Sequence, residues 1–438
     1  MIEFVTLFLG LFHGPQRVEV SVGSAVASVE IRLDGETLGT LRGEPWILNC
    51  DFGEELAPHE LVAIARDEAD QELERARQLI NLPRERAEAR FALEGRKDRG
   101  PPTARLIWQA LDYDRPREVN ISFDGRPLAW SELERIELPR HDPDSIHFLY
   151  ADVVFSDTVE THAELAFGGF FGEEVTSELT AVMAVPERGR VPGPEKTEGW
   201  FLKRGRPLRV VAVEREPPID LLIVREQSEA IFEGLRNLIR TRTHLRGYQR
   251  REEEYVRFSR RDRARFVFPA AERRDTPGLD LDLLPVSLDA SGYSDGTLFY
   301  LLTQVLFPEE EEPASQQRLA DAVAVAGLVA AAGNHRRAVL LVYSGQAADA
   351  SRLKPELVRG YLRRLRVPFF VWTITAKGAD PPSAWGQEQD VSDLGGLRLA
   401  TQRLRKVLDS QVAIWLEGGH LSGAIELSQE AKHLRLLD

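Results

Sequence analysis

The chain has 438 residues, of which 43% are hydrophobic and 29% charged, and its formal net charge at pH 7 is -14. This length predicts two to four domains, and this composition is ordinary for a globular protein with buried cores. The acidic balance argues against nucleic acid and against anionic membranes as partners, because both attract a basic surface. The single cysteine, Cys50, excludes an intramolecular disulfide and is compatible with a reducing, cytoplasmic compartment. No apolar run reaches the ~18 residues that a membrane-spanning helix needs.

The apolar run over residues 4–12 has two interpretations. It fits a first β-strand that ends before Gly14 and Pro15, and it also fits the apolar core of a signal peptide within residues 1–14. The acidic Glu3 is the only charge before the run, and no small-residue cleavage site follows it. We therefore expect a strand, and secretion is the alternative.

Two stretches of short alternating strands follow, each built around an Asp-Gly pair. The pair at residues 34–35 lies between two such strands, and the pair at residues 124–125 repeats the arrangement 90 residues later. Asp-Gly between alternating runs is a strong hairpin signal, because a type I′ turn needs a positive φ at both central residues. The spacing predicts two β-sandwiches, one over residues 1–95 and one over residues 96–198.

Beyond about residue 206, strands alternate with helices. This alternation predicts a doubly wound α/β domain over residues 206–438. The predicted strands are nearly continuous apolar runs, as expected for strands buried on both faces, and they cover residues 208–213, 219–224, 264–268, 338–343, 369–374 and 412–416. The predicted helices cover residues 229–241, 297–306, 316–332, 355–366 and 391–410.

Strand spacing and the Asp-Gly hairpins make the two β-sandwiches resemble the bacterial immunoglobulin-like (Ig-like) domains that occur in tandem. The last half of the chain resembles the von Willebrand factor type A (vWA) domain in the order and spacing of four stretches, residues 219–224, 294–299, 337–345 and 367–372. In that family they correspond to the strand before a D-x-S-x-S loop, a Gly-Gly-Thr turn opening a helix, a strand ending in a Ser/Thr-Asp-Gly turn, and a Gly-Val-Pro strand. The resemblance implies a metal-ion-dependent adhesion site.

The family's adhesion site surrounds a magnesium or manganese ion with oxygen donors. The resemblance places the corresponding loop positions of this chain at Arg225, Glu226, Gln227, Ser228, Glu229, Asp295, Thr297 and Ser344. The first aspartate position falls on Arg225 or, one residue later, on Glu226, and only Thr297 clearly keeps its expected type. A guanidinium stays protonated and repels a cation. We therefore predict a degenerate site without metal, in which Asp295 and Thr297 begin a helix.

Other residues that could carry chemistry have ordinary explanations. Ser344 follows a predicted strand, but the G-x-S-x-G pattern of a hydrolase nucleophile does not surround it. The nine histidines do not pair at the i, i+4 spacing of a zinc site, and His141 and His147 are typical of a loop. Residues 240–251 are basic and run into acidic residues 252–254, which is typical of a solvated helix face.

These patterns predict neither an enzyme nor a cofactor. The leading hypothesis is a non-enzymatic scaffold whose metal-free loop end, with Arg225, Glu226 and Glu229, binds a protein partner that the sequence does not name. One alternative is a divalent-cation-dependent adhesion protein, with ligands drawn from Glu226, Asp295, Thr297 and Asp349. Another is a structural subunit that assembles with its own copies into a filament or ring.

Overall fold

The computed structural model describes most of the chain as two β-sandwiches, a third β-unit and an α/β domain. The described residues are 2–6, 8, 10–23, 25–82, 87–94, 103–110, 115–142, 147–156, 160–167, 179–187, 191–244, 262–267, 269, 286–287, 317–331, 335–345, 349–374 and 384–437. Among these residues, no helix is long and apolar enough to cross a membrane.

Seven strands form the first sandwich: β1 (Ile2–Phe4), β2 (Pro15–Val22), β3 (Ser28–Leu33), β4 (Glu36–Leu41), β5 (Ile47–Asp51), β6 (His59–Arg66) and β7 (Glu72–Ile80). One sheet has the order β1-β2-β5 and the other β4-β3-β6-β7. Strand β1 pairs with the end of β2, and Phe8 lies in the core between the sheets. The prediction of a strand over the N-terminal run is therefore wrong for most of its length, because β1 includes only Phe4 of residues 4–12 and the other described residues of the run are not in a strand.

The second sandwich repeats this arrangement with β8 (Ala87–Glu94), β9 (Thr103–Ala110), β10 (Glu118–Phe123), β11 (Arg126–Pro127), β12 (Ile136–Glu137), β13 (His147–Val154) and β14 (Glu160–Phe167). Its sheets have the orders β12-β9-β8 and β11-β10-β13-β14. The prediction of two successive β-sandwiches is therefore confirmed. The predicted boundary after residue 95 is wrong, because β8 pairs along its whole length with β9. The alternating pattern of a strand does not reveal which sandwich it joins.

Both Asp-Gly hairpins have the predicted backbone. The φ angles are 53° and 82° at Asp34 and Gly35, and 46° and 77° at Asp124 and Gly125. Positive φ at both central residues is the requirement of a type I′ turn, whose twist matches that of the flanking strands.

Four further strands follow the second sandwich: β15 (Leu179–Pro186), β16 (Phe201–Lys203), β17 (Arg206–Leu208) and β18 (Val210–Glu214). They begin a third β-unit, which the chain leaves for about 200 residues to form the α/β domain.

The α/β domain contains the strands β19 (Ile219–Arg225), β20 (Arg263–Val267), β21 (Val286–Ser287), β22 (Arg336–Tyr343), β23 (Phe369–Thr373) and β24 (Glu388–Asp390). They form one sheet in the order β21-β20-β19-β22-β23-β24. All neighbouring strands of this sheet are parallel except β20 and β21, which are antiparallel. The described helices are α1 (Glu229–His244), α2 (Leu319–Ala331), α3 (Pro355–Arg364) and α4 (Leu394–Asp409). The predicted helix 297–306 lies outside the described residues.

Helices cover both faces of this sheet. Leu221 and Ile223 of β19 pack with α1 and α4, whereas Leu222 and Val224 pack with α2 and α3. Every residue of β19 is buried. Successive side chains of a strand point to opposite faces, so a strand covered on both sides is apolar throughout.

The chain then returns to the third β-unit with β25 (Val412–Glu417), β26 (Ile425–Leu427) and β27 (Leu434–Leu436). One sheet has the order β18-β25-β15-β27 and the other β17-β16-β26. The predictions that residues 208–213 and 412–416 belong to the parallel sheet, and that β15 belongs to the second sandwich, are therefore wrong. Strand β25 pairs antiparallel with both β15 and β18. Short apolar runs look the same in parallel and antiparallel sheets.

The α/β domain is thus an insertion between β18 and β25, and both of its ends lie beside the start of β22. The amide of Arg336 donates to the carbonyl of Pro218 over 2.8 Å. Gln411, which is fully buried, donates from Nε2 to the Arg337 carbonyl (2.9 Å) and accepts from the Arg337 amide (2.8 Å). These bonds place both connections to the third β-unit at the amino edge of the parallel sheet.

The first sandwich packs against α3. Leu56 is buried in the cluster that contains α2 and α3, and the hydroxyl of Tyr361 donates to the carbonyl of Asn81 over 2.7 Å. Burial raises the pKa of the Tyr361 phenol. Glu55 forms an ion pair with Arg364 at the same boundary. The sandwich therefore covers one helical face of the α/β domain.

The second sandwich contacts β20 through charged groups. Arg263 binds Asp152 (2.8 Å) and Glu160 (3.1 Å), which lie on β13 and β14. Two residues further along β20, Arg265 forms an ion pair with the buried Asp220 of β19. Burial opposes the charge of Asp220, but the guanidinium of Arg265 outweighs it and keeps the pKa of that carboxyl below its usual value.

His335 adjoins this charged cluster and precedes β22. Its ring lies 6.1 Å from that of His162, and its Nδ1 is buried with no hydrogen-bond partner among the described residues. Burial lowers the pKa of His335 to about 3, and the nearby Asp220 only partly opposes this shift. The imidazole is therefore neutral at physiological pH.

We expect Gln411→Leu to lower the free energy of unfolding by about 2–4 kcal/mol, because it removes two buried hydrogen bonds with the amide and carbonyl of Arg337. Urea denaturation followed by circular dichroism measures the change. Gln402→Leu, on the partly exposed side of α4, is the matched control and should change the midpoint little. Equal losses in the two variants would contradict the importance of the Gln411 bonds.

We expect stability to fall as the pH decreases from about 6.5 to about 4, because the unfolded imidazole of His335 gains a proton over this range while the folded one does not. The folded pKa of about 3 makes this loss roughly 3 kcal/mol at pH 4. His335→Gln should flatten the pH dependence of the urea midpoint. The control His433→Gln, at an exposed histidine, should not.

Candidate functional site

The carboxyl edge of the parallel sheet is the first place to look for a site, because ligands of open α/β sheets bind where the strands end. Strand β19 ends at Arg225, and Glu226 follows it. Both residues are 0% exposed. Their burial corrects the expectation that Arg225 and Glu226 contact a protein partner directly, since neither side chain reaches the surface.

Glu226 is bound to the neighbouring strand end. Its amide donates to the carbonyl of Val342 over 2.9 Å. Its carboxylate accepts from the Ser344 hydroxyl over 2.9 Å through one oxygen, and from the Ser344 amide through the other. Both carboxylate oxygens are therefore engaged by Ser344. Hydrogen bonds to a carboxylate are stronger than those between neutral groups, so this contact joins the ends of β19 and β22 firmly.

Arg225 lies against helix α1 rather than facing a ligand. The carbon atom of its guanidinium lies 5.5 Å from the centre of the Phe232 ring. A cation over an aromatic face is stabilised electrostatically, and more strongly where water is excluded. Arg225 stands at the sequence position where the vWA family has a metal ligand. In this structure its charged side chain packs against helix α1 instead.

The next residues form the start of α1. The Ser228 hydroxyl accepts from the Ile231 amide over 3.3 Å, which is the contact of a helix N-cap. Glu229 is exposed and binds Arg236 over 3.0 Å. The Gln227 amide donates to the side-chain oxygen of Gln317 over 2.7 Å. Ser228 thus serves the helix, and Glu229 is the member of this loop that faces solvent.

Asp349 caps α2. Its carboxylate accepts from the amides of Leu319 (3.0 Å) and Ala320 (3.1 Å), and from the amide of Ser351 (2.9 Å). Carboxylates are favourable at helix N-termini because they satisfy the unpaired amides there. This role was not predicted from the sequence, and it engages a residue that the adhesion alternative needs as a cation ligand.

The predicted site residues are thus only partly brought together. Glu226 and Ser344 are in contact, Arg225 packs on Phe232, and Ser228 and Glu229 begin the adjacent helix. Asp295 and Thr297 lie outside the described residues. Within the part of the chain that the structure describes, no three His, Cys, Asp or Glu side chains are grouped as metal ligands would be.

The oxygen donors described at this edge do not fit a magnesium ion. A hard divalent cation needs several oxygens that converge on one point. The carboxylate of Glu226 accepts from Ser344, the hydroxyl of Ser228 accepts from a helix amide, and the carboxylate of Asp349 binds the start of α2. Each of these oxygens already serves a protein contact.

Sequence reasoning missed a pair of contacts that recurs in the two sandwiches. Asp34 lies 2.7 Å from His59 Nδ1, and Asp124 lies 2.7 Å from His147 Nδ1. Each aspartate also accepts from the amide that follows its histidine. A signal was present, since each Asp-Gly pair is followed some 25 residues later by a histidine that opens a strand. Each pair joins a hairpin turn to the first residue of a neighbouring strand, β6 in the first sandwich and β13 in the second.

No family model matches the chain, and no curated protein matches it. Among solved structures, it is similar to the fibronectin(III)-like modules of Clostridium thermocellum CbhA, with 20% identity over 18% of this chain and 93% of that one, at a TM-score of 0.17.

Two further solved structures overlap larger parts of the chain. The central fibronectin-III array of RIM-binding protein is 11% identical over 44% of this chain and 80% of that one, at a TM-score of 0.19. The Parabacteroides merdae β-glucuronidase is 11% identical over 38% of this chain and 25% of that one, at a TM-score of 0.16. At such low TM-scores, these overlaps say nothing of an activity or a ligand of this chain. The β-sandwich fold of the first two units is seen in their own strand order.

Proposed function

We propose that this chain is a non-enzymatic scaffolding protein that binds a protein partner through a metal-free, vWA-like α/β domain. The observation that carries the proposal is the engagement of both Glu226 oxygens by Ser344 at the edge where the family holds its ion. The sheet order β21-β20-β19-β22-β23-β24, with an antiparallel edge strand, is compatible with the vWA resemblance. The two Ig-like sandwiches contact this domain at α3 and at β20.

The surroundings of Glu226 support a structural role for its carboxylate. The residue is fully buried, and its amide is held by β22 as well. Arg225 places a permanent positive charge in the adjacent position, which disfavours a second cation nearby. Under this proposal the loop end keeps its shape without an ion, and the exposed Glu229 is its contact with the partner.

We expect calorimetric titration of the purified chain with magnesium, and then with manganese, to give no saturable heat and no rise in melting temperature. Glu226→Ala should lower the free energy of unfolding by about 2–4 kcal/mol, equally with and without the metal, because it removes the two buried hydrogen bonds that the Ser344 amide and hydroxyl donate to the carboxylate. Saturable binding that disappears in Glu226→Ala would reject the metal-free proposal and favour the adhesion alternative.

We expect partner capture in chelator-containing buffer, with the chain immobilised and extracts of its own cells applied. Glu229→Arg should reduce recovery of the partner about tenfold, because it reverses the exposed charge of the loop end. Glu216→Arg, an equal charge change at an exposed position before β19, is the control and should retain it. Equal recovery with both variants, or capture only in magnesium, would contradict the proposed contact.

A further inference from the structure

Helix α4 presents a basic surface to solvent. We use the name basic helix face for Leu399, Arg403 and Lys406, which are exposed and lie on one side of the helix at spacings of four and three residues. Leu399 is 59% exposed, more than any other large hydrophobic side chain among the described residues. An exposed leucine bordered by cations is unusual on a chain whose net charge is -14. Such a surface fits an acidic, partly apolar protein partner.

The chain carries a surface of that complementary kind on its first sandwich. The acidic hairpin, residues 67–74, joins β6 to β7 and includes Glu68, Asp70, Glu72 and Glu74. Residues 68–74 are all exposed, and they include Leu73, which is 46% exposed. Each of the two surfaces thus combines one exposed leucine with several charges, and the signs of those charges are opposite.

The two surfaces lie on opposite sides of the parallel sheet. Helix α4 packs on the face formed by Leu221 and Ile223, whereas the first sandwich packs through Leu56 on the face of Leu222 and Val224. The acidic hairpin also lies at the far end of β7 from the docked residue Asn81, about 30 Å away at the rise of a β-strand. The basic helix face and the acidic hairpin of one chain therefore belong to elements on opposite sides of the sheet.

We propose that the basic helix face of one copy binds the acidic hairpin of a second copy. Each chain offers one surface of each kind, so the contact is head-to-tail and repeats from copy to copy. Such a heterologous contact produces a ring if its rotation closes and a filament if it does not. This inference is independent of the metal-free loop end and goes beyond the proposed partner binding there.

Sedimentation of the full chain at rising concentration tests the contact. We expect the mean mass to increase with concentration in about 0.1 M salt and to fall back to that of the monomer in about 1 M salt, where the screening length drops to roughly 3 Å. A chain that stays monomeric at all concentrations in low salt would overturn the proposal.

Substitutions that reverse the charges of each surface test whether the basic helix face and the acidic hairpin form the contact. Arg403→Glu with Lys406→Glu should weaken association about tenfold or more, and so should Glu68→Lys with Glu74→Lys. Mixing the two double variants should restore association, because each then offers the surface that the other needs. The variant carrying all four substitutions should associate with itself again, which a misfolded protein would not do.

Arg42→Glu with Arg126→Glu is the matched control. It reverses two exposed arginines outside both surfaces and changes the net charge by the same amount as Arg403→Glu with Lys406→Glu. It should associate like the wild type. Association that survives both reversals, or a mixture that stays monomeric, would overturn the proposal, whatever the result of partner capture at Glu229.

Discussion

The structure depends on the return of the chain to its third β-unit after the α/β domain has formed. Strand β25 lies between β15 and β18, so the unit cannot close until residues far apart in sequence come together. The two bonds between Gln411 and Arg337 hold this return next to the entry at Pro218. Buried backbone groups need partners, and a glutamine side chain supplies both a donor and an acceptor. The insertion is therefore anchored at two adjacent points.

This anchoring decides which edge of the parallel sheet is available. The third β-unit occupies the amino edge, and the second sandwich binds Arg263 near the same edge. The first sandwich covers the side of α3. The carboxyl edge, with Glu226 and Ser344, is directed away from the third β-unit. The described contacts of the β-units with the α/β domain therefore lie away from the ends of β19 and β22.

The two edges also differ in how they handle charge. At the amino edge, Asp220 and Arg265 pair in the interior beside a neutral His335. At the carboxyl edge, Glu226 accepts hydrogen bonds from Ser344, and Arg225 lies over an aromatic ring. A buried charge is tolerated only when it is paired or hydrogen-bonded. The partners of the two carboxylates, Arg265 for Asp220 and Ser344 for Glu226, are distant in sequence, so the residues of the 225–229 loop did not by themselves reveal the contact of Glu226.

The sequence by itself determined the local structure. The Asp-Gly pairs at residues 34 and 124 specify hairpins through their tolerance of positive φ, and the apolar run of β19 specifies a strand buried on both faces. Only the tertiary structure decided the membership of β8, β15 and β25, the burial of Arg225 and Glu226, and the helix-capping role of Asp349. The physical reason is the range of the interactions. Turn geometry and side-chain alternation are set by neighbours in the chain, whereas strand pairing, burial and the partner of a carboxylate are set by residues that only folding brings together.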